Sequence, residues 1–523
     1  MAWTVMSREL VGGEHLPPQA PALSVVDRTA APNAFVRVAL AFAAPLDAAR
    51  LRRAVGAVVA AMPSLGCRAT KTQDGDWRLA VPPEAPSGGA LLLIGRAPAP
   101  PPSLFGAPPR RAAYVDLGPS IFPGLPPSLP PEAAAAVELP LFAVALFTCG
   151  GGGGGAGDNG DGGGAAGCVL GVSISHMVAD FGTLAAALSL LASAYSGARP
   201  PSPPPRPAAP AVAALAAAGA PPPPGFEPFN YLRPPPGWHE AAERVFGRPA
   251  PLGTVYHVPP ARLAELKARA LSDLAAAAPA GTTAAAAERA ARPSAAAAAA
   301  GSAGSGGGEA PGEGEGEGEG WISTHDALIA HVWRRIASLP ARRGSGPVPL
   351  TMGLDMRRRM PAAACGVSEA GQAALYGNLA TTALAAALDV ARGGEGGGAM
   401  ALGAVARQLR RALPRSAALF PGDVAYAASR PSPPGLVILP FLRIVADADA
   451  GRTPLLMTST WALDHAALSF GGAPPLRAGL CLSPAFPLVV ALPAPAGAGG
   501  GFLVHVWLWQ PEAAQLRETV PEL

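Results

Sequence analysis

The stretch Ser173-Ile174-Ser175-His176-Met177-Val178-Ala179-Asp180-Phe181-Gly182 holds the residue types and spacing best suited to chemistry. Among eight histidines, only His176 has an aspartate four residues on. A neutral imidazole, with an ordinary pKa near about 6.5, can take a proton and give it back at cellular pH. By itself the pair fits a buried histidine held by one hydrogen bond better than a catalytic base. Metal binding would need a third ligand. His257 and His465 could supply one only arbitrarily, because no HExxH and no cysteine pair accompanies them. No metal is therefore expected. A serine-hydrolase arrangement has no GxSxG elbow, and strand alternation turns Ser173 and Ser175 away from His176.

The elements around the pair can be read from periodicity. Cys168–Ser175 reads as a strand that puts Val172 and Ile174 on the face of His176. Leu184, Leu188, Leu191 and Tyr195 then fall at helical spacing, so 183–196 reads as an amphipathic helix. His176 and Asp180 thus lie at a strand-to-helix junction, where side chains can be presented to a cleft. Val137–Cys149 is the partner strand. The glycine-rich 150–167 between the two reads as a disordered insertion at a hairpin tip, not a phosphate cradle, since no GxxxxGK[ST] follows. Earlier, residues 10–30 read as loop and 34–43 as a strand. A helix opens after Pro45 with Asp47 as its cap. Arg50, Arg52 and Arg53 lie off its apolar stripe and read as a solvated face. The proline-rich 97–135 reads as irregular.

Beyond 197 the composition shifts. Residues 198–224 read as a Pro/Ala linker, and 275–320 as a disordered Ala/Gly/Glu insertion. The expected division is an N-terminal domain over 1–197 and a C-terminal domain over 225–523. The second contains strands near 255–258, 348–355, 455–460, 488–492 and 502–508. Its helices cover 262–270, 323–336 (Ser323 and Asp326 at capping-box spacing) and the segment of Leu402, Val405, Leu409 and Leu413. Mixed strands and helices without strict alternation indicate a mixed α/β (α+β) class.

Composition narrows the partners. Apolar residues make up 50% and charged residues 14% of 523, with a net charge of +3 and no Lys/Arg block, so a nucleic-acid partner is not expected. Five scattered cysteines form neither a CxxC nor a disulfide framework, which points to a reducing compartment. The N-terminal residues lack a signal peptide's apolar core, and no run is long enough to span a bilayer. A cytoplasmic protein without a membrane partner is expected.

Several segments, taken in order, resemble one family. Ser175–Gly182 looks like the HxxxDG motif of the BAHD acyl-CoA-dependent acyltransferases, the plant hydroxycinnamoyl/shikimate-transferase type. Leu23–Asp27 is similar to that family's LSxxD element, Pro45–Arg68 to its first helix and turn, and Ser323–Arg334 to its SxxDxLxAxxWR helix. Asp355-Met356-Arg357-Arg358-Arg359, followed by Tyr376-Gly377-Asn378, resembles its DxRxR and YGN segments. Thr458–Trp461 and Phe470–Pro474 resemble TSW and DFGWGxP. Two departures stand out. Phe181 intervenes before Gly182, and the DFGWG match has Ser469 for its aspartate and Gly472 for its tryptophan.

The resemblance implies a chloramphenicol-acetyltransferase-like fold, in which two similar domains of mixed sheet flanked by helices enclose a channel. It implies a monomer of secondary metabolism that moves an acyl group from acyl-CoA, a substrate and not a resident cofactor, to a small-molecule alcohol or amine. By the same resemblance His176 is the general base. Asp180 supports it through Arg357, with Arg359 second, and Trp461 donates to the oxyanion. Gly182, Phe470, Gly471 and Gly472 are structural. The residues that bind the donor are not legible. Two alternatives stay open: a weakly active or non-catalytic BAHD-derived protein that binds acyl-CoA or a metabolite, and a carrier-dependent condensation-type acyltransferase. Condensation enzymes typically carry two adjacent histidines, whereas Ser175 precedes His176.

Overall fold

The computed structural model describes residues 3–29, 34–73, 77–82, 88–98, 101, 111–125, 140–150, 167–199, 204–218, 231–232, 236–277, 321–342, 347–388, 400–429, 437–450, 455–459, 463 and 468–523. Thirteen strands build two large sheets. They are β1 (Thr4–Gly12), β2 (Phe35–Phe42), β3 (Gly89–Ala97), β4 (Arg111–Ala113), β5 (Phe142–Cys149), β6 (Cys168–Ser175), β7 (Leu252–Val258), β8 (Val348–Asp355), β9 (Ala380–Leu388), β10 (Leu455–Ser459), β11 (Arg477–Leu480), β12 (Leu488–Pro493) and β13 (Phe502–Leu508). The first sheet runs β1-β3-β5-β6-β2-β11 and the second β9-β8-β10-β12-β13-β7-β4. Both are mixed. β3 and β5 are parallel within an otherwise antiparallel first sheet. β8, β10 and β12 are parallel within the second. This is the mixed α/β two-sheet class expected from the sequence.

Each sheet is completed by a strand from the other half of the chain. β4 precedes β5 in sequence but pairs with β7 in the second sheet. β11 follows β10 but pairs with β2 in the first. The two sheets are therefore clamped to each other by two reciprocal edge strands.

Seven helices matter to the site: α1 (Val25–Thr29), α2 (Ala48–Ala61), α3 (Phe181–Ser196), α4 (Ala208–Ala218), α5 (Pro260–Ala276), α6 (Thr324–Ala337) and α7 (Leu402–Ala428). Local sequence signals explain their starts. Asp47 accepts from the Arg50 amide at 2.6 Å and caps α2. Ser323 and Asp326 form a reciprocal capping box on α6. α2 and α3 bury Leu51, Val55, Val58, Leu184, Leu188 and Leu191 against the first sheet. α4–α7 cover one face of the second sheet, around Leu328, Val332, Trp333 and Phe420.

Four sequence expectations change. Residues 10–30 are not all loop: β1 ends at Gly12 and α1 spans Val25–Thr29. β1 is an edge strand with little burial, so it lacks the alternation that would reveal it. The irregular 97–135 contains β4. The 198–224 linker contains α4, which buries Ala208, Ala211, Val212 and Leu215. Alanine is the best helix former, and Pro210 lies in the first turn, where its missing N–H costs nothing. Arg50 is not simply solvated. Its guanidinium donates to the Tyr195 carbonyl at 2.8 and 3.1 Å and lies 4.7 Å over the Tyr195 ring, closing the C-terminal end of α3. The expected insertions fall almost wholly outside the described residues. Of the second, 275–277 completes the end of α5.

Candidate active site

β6 delivers His176. The neighbouring strands hold the turn after it: the His176 amide donates to the Ala34 carbonyl and the Ser175 amide to Leu141, each at 2.7 Å. The chain then reaches Asp180, whose Oδ1 accepts from the Thr183 amide at 2.9 Å and caps α3. Phe181 is the first residue of α3 and packs against the apolar core that α2 and α3 form with the first sheet. The extra residue relative to HxxxDG is thus absorbed as the opening helical position, and Gly182 takes the second.

Asp180 and Arg357 meet in a buried bidentate pair, Nη1–Oδ2 at 3.0 Å and Nη2–Oδ1 at 2.8 Å. Besides the Thr183 amide, the Leu379 amide also donates to Asp180, at 2.9 Å, a fourth bond to the carboxylate. Burial alone would raise the Asp180 carboxyl, but the Arg357 charge and these bonds outweigh it and hold the group below the usual carboxylate range. Burial alone would lower Arg357, and Asp180 and Asp355 reverse that and raise it. Arg357 Nε also donates to Leu375 O, and Nη2 to Thr183 Oγ1 and Gly377 O. Such full pairing is what makes a buried charge tolerable. Gly182 is required here, because a Cβ at that position would lie 2.5 Å from Arg357 Nη1. Arg359, the second choice from the sequence, donates instead to the Asp355 carbonyl at 3.0 Å.

The residues the sequence did not single out are Asp27 and Asn378. Ser24 and Asp27 bond reciprocally at the start of α1, and Asp27 Oδ1 accepts from both the amide and the Nδ2 of Asn378, at 2.8 and 3.0 Å. Asp27 is buried, and that burial pushes its carboxyl up against the hydrogen bonds from Ser24 and Asn378. Asn378 Nδ2 also donates to the His176 carbonyl, at 2.6 Å. Both amide hydrogens are then committed, so Asn378 Oδ1 faces His176 Nδ1, at 3.1 Å, purely as an acceptor. Nδ1 must carry the proton. The neutral ring therefore keeps its lone pair on Nε2, the nitrogen that can act as a base. Asp27 and Asn378 lie 351 residues apart, and the matched LSxxD and YGN segments were the one available sequence signal for them.

Phe470, Gly471 and Gly472 do not join this cluster. Phe470 is buried edge-on to Phe42 and against Tyr195, with ring centroids at 5.3 and 5.5 Å. Phe470 and Ala473 exchange two backbone bonds across a two-residue turn, in which Gly471 and Gly472 have φ of +66° and +88°. Two successive positive φ values favour glycine at both positions. Ser196 Oγ accepts from the Gly471 amide and donates to Ser469 O, tying the turn to the far end of α3. At ~1.5 Å per residue, α3 separates that end from Asp180 by roughly 20 Å. Trp461 lies outside the described residues.

Among the described residues no cluster of His, Cys, Asp and Glu could hold a metal ion, and no helix is long and apolar enough to cross a membrane. The five cysteines are unbridged.

The fold places the chain among proteins built from two mixed sheets in the chloramphenicol-acetyltransferase manner. By sequence it matches no protein-family model and no curated protein. By structure it is similar to F. graminearum TRI101 complexed with coenzyme A and T-2 mycotoxin (TM-score 0.61, 15% identity, 97% of this chain and 98% of that one). It is also similar to F. sporotrichioides TRI101 complexed with coenzyme A and T-2 (0.59, 15%, 96% and 97%) and to vinorine synthase (0.56, 15%, 98% and 96%). The shared fold thus spans nearly the whole of each chain.

Proposed function

We propose that this protein is a BAHD-type acyltransferase that moves an acyl group from an acyl-CoA thioester to a hydroxyl or amine of a small-molecule acceptor. The observation that carries this reading is the single open nitrogen of His176, fixed by Asn378 through Asp27. The shared fold adds support, since TRI101 has been solved with coenzyme A and a small toxin bound.

As the acceptor oxygen or nitrogen attacks the thioester carbonyl, its proton passes to His176 Nε2. The C–S bond then breaks, and the imidazolium returns that proton to the departing thiolate. The growing positive charge on the ring is met by Asn378 Oδ1 at Nδ1–H, with the Asp27 carboxylate behind it. General-base assistance of this kind contributes about 10²–10⁴-fold. Asp180 does not touch the reacting atoms: with Arg357 it holds the turn that carries His176. The oxyanion donor is assigned to Trp461 on the sequence pattern alone. Gly182 gives the Arg357 guanidinium room, and Phe470, Gly471 and Gly472 anchor α3 at its far end.

The same reading makes the protein a monomer of the cytoplasm, within secondary metabolism, and its unbridged cysteines suit a reducing compartment. Its working units are 1–197 and 225–523. The test is a panel of acyl-CoA donors against alcohols and amines, read by mass spectrometry for acylated product and by thiol release. Acceptor-dependent release of coenzyme A is expected. Turnover only with carrier-bound acyl donors, or binding of acyl-CoA without turnover, would contradict the proposal.

A further inference from the structure

Cations gather where α5 packs against α6, away from the His176 cluster. The apolar stripe of α5, from Leu263 through Leu266 and Ala270 to Leu274, turns inward. Arg262, Arg269 and Asp273, spaced i, i+7 and i+11, then fall in line along its flank. On α6, Arg334 and Arg335 lie one turn beyond His331. Arg335, Arg262, Arg334 and Arg269 are all close enough to His331 for their charges to act on it.

Two of these cations have no carboxylate of their own. Arg262 is engaged: it pairs with Glu265 at 2.6 Å and donates to Leu523 O at 3.4 Å. Asp273 acts on Arg334, while its Oδ2 also accepts from the Gly403 amide at 3.1 Å. Exposed Arg269 and Arg335 form no ion pair among the described residues. The last turn of a helix favours cations, which accounts for Arg334 and Arg335 by themselves. It does not account for Arg269, which comes from the middle of α5. Burial lowers Arg334, and the charges of Arg269 and Arg335 add to that against Asp273, the mark of like charges crowded together.

A second observation points to a ligand. His331 is only 5% exposed, and its Nε2 is buried without a hydrogen-bond partner among the described residues. The buried Nε of Arg334 is in the same position. Buried polar groups are nearly always paired, and one left unmatched is costly.

We propose that Arg269 and Arg335, with His331 Nε2 and Arg334 Nε, bind a phosphate group, free or carried as a monoester by a small metabolite. Guanidinium groups match phosphate oxygens in a two-point geometry. A phosphate oxygen accepts from Arg334 Nε. The bond to His331 is closed by the ring N–H or by a P–OH, so phosphate suits either tautomer. The anion offsets the excess charge and pairs both nitrogens.

Calorimetric titration of the full chain with inorganic phosphate and with glycerol 3-phosphate, at constant ionic strength, tests this. Saturable binding of at least one is expected, and the preferred probe tells the free ion from the ester. Arg269→Gln and Arg335→Gln should each weaken it by about tenfold or more, the worth of one charge-assisted hydrogen bond. Both side chains are exposed, so the fold survives their replacement. His331→Phe, which keeps a ring in the core, should weaken binding too. His176→Ala should leave the affinity unchanged. No saturable binding of either probe, acetate binding as tightly, unchanged affinity in both arginine variants, or loss in His176→Ala would overturn the proposal.

Discussion

At the scale of residues, the site rests on two sets of hydrogen bonds around one short turn. Asp27 and Asn378 set the tautomer of His176, and Arg357 and Asp180 set the position of its turn. These predict different losses. Asn378→Ala frees Nδ1 and lets the lone pair move to the wrong nitrogen, so kcat should fall by about 10²-fold, with KM little changed. Steady-state kinetics on that variant would show it, and a change confined to KM would speak against tautomer control. Asp180→Ala leaves buried Arg357 with only the half-exposed Asp355 carboxylate, and breaking such a buried pair costs about 3–5 kcal/mol. Its melting temperature should drop together with its rate. A fall in rate at unchanged melting would mean that Asp180 acts on the chemistry itself. The spacing of His176 and Asp180, and the choice of Arg357, were legible because they lie in compact sequence patterns. The role of Asp27 was not, because it depends on a contact with Asn378 that no local pattern encodes.

At the scale of elements, what is local was legible and what depends on partners was not. The caps at Asp47 and Ser323 and the apolar stripe of α3 follow from side-chain chemistry within a few residues. β1 and β4 are short or poorly buried edge strands whose identity comes from the strand beside them. α4 was hidden by composition: an Ala/Pro run looks like a linker until a core is available to cover it. The buried Leu215 gives the direct check. Leu215→Ala should cost about 2–5 kcal/mol in denaturant unfolding, as for other buried leucines. A change within the range of an exposed substitution would return 204–218 to linker status. The Phe470–Ala473 turn explains in the same way why a tryptophan is missing from that motif. Gly472 sits at positive φ, where a bulky side chain would be strained.

At the scale of the molecule, two reciprocal strand exchanges join the sheets, and buried titratable groups link the fold to pH. Burial lowers His331, with the neighbouring Arg335, Arg262, Arg334 and Arg269 adding to it, and lowers His505; both reach about 3. Their folded pKa values lie below the unfolded value of 6.5, so the unfolded chain binds more protons below that pH. The stability they contribute is complete above 6.5 and is lost progressively as pH falls from 6.5 toward 3. Each steepens the loss by up to about 1.4 kcal/mol per pH unit. Asp180, also depressed, adds its own loss only below its ordinary value of 3.8. Melting temperature should therefore decline between pH 7 and pH 5, and His505→Phe, which keeps a ring against Trp507, should flatten the decline. A flat wild-type profile over that range would contradict the burial of neutral histidines.

The central claim is that His176 Nε2 takes the acceptor's proton. It is met most directly by comparing acceptor-dependent coenzyme A release by purified wild-type protein and His176→Ala at saturating substrates. The account predicts a loss of about 10²–10⁴-fold in the variant with an unchanged melting temperature. A His176→Ala protein that releases coenzyme A at the wild-type rate would contradict it.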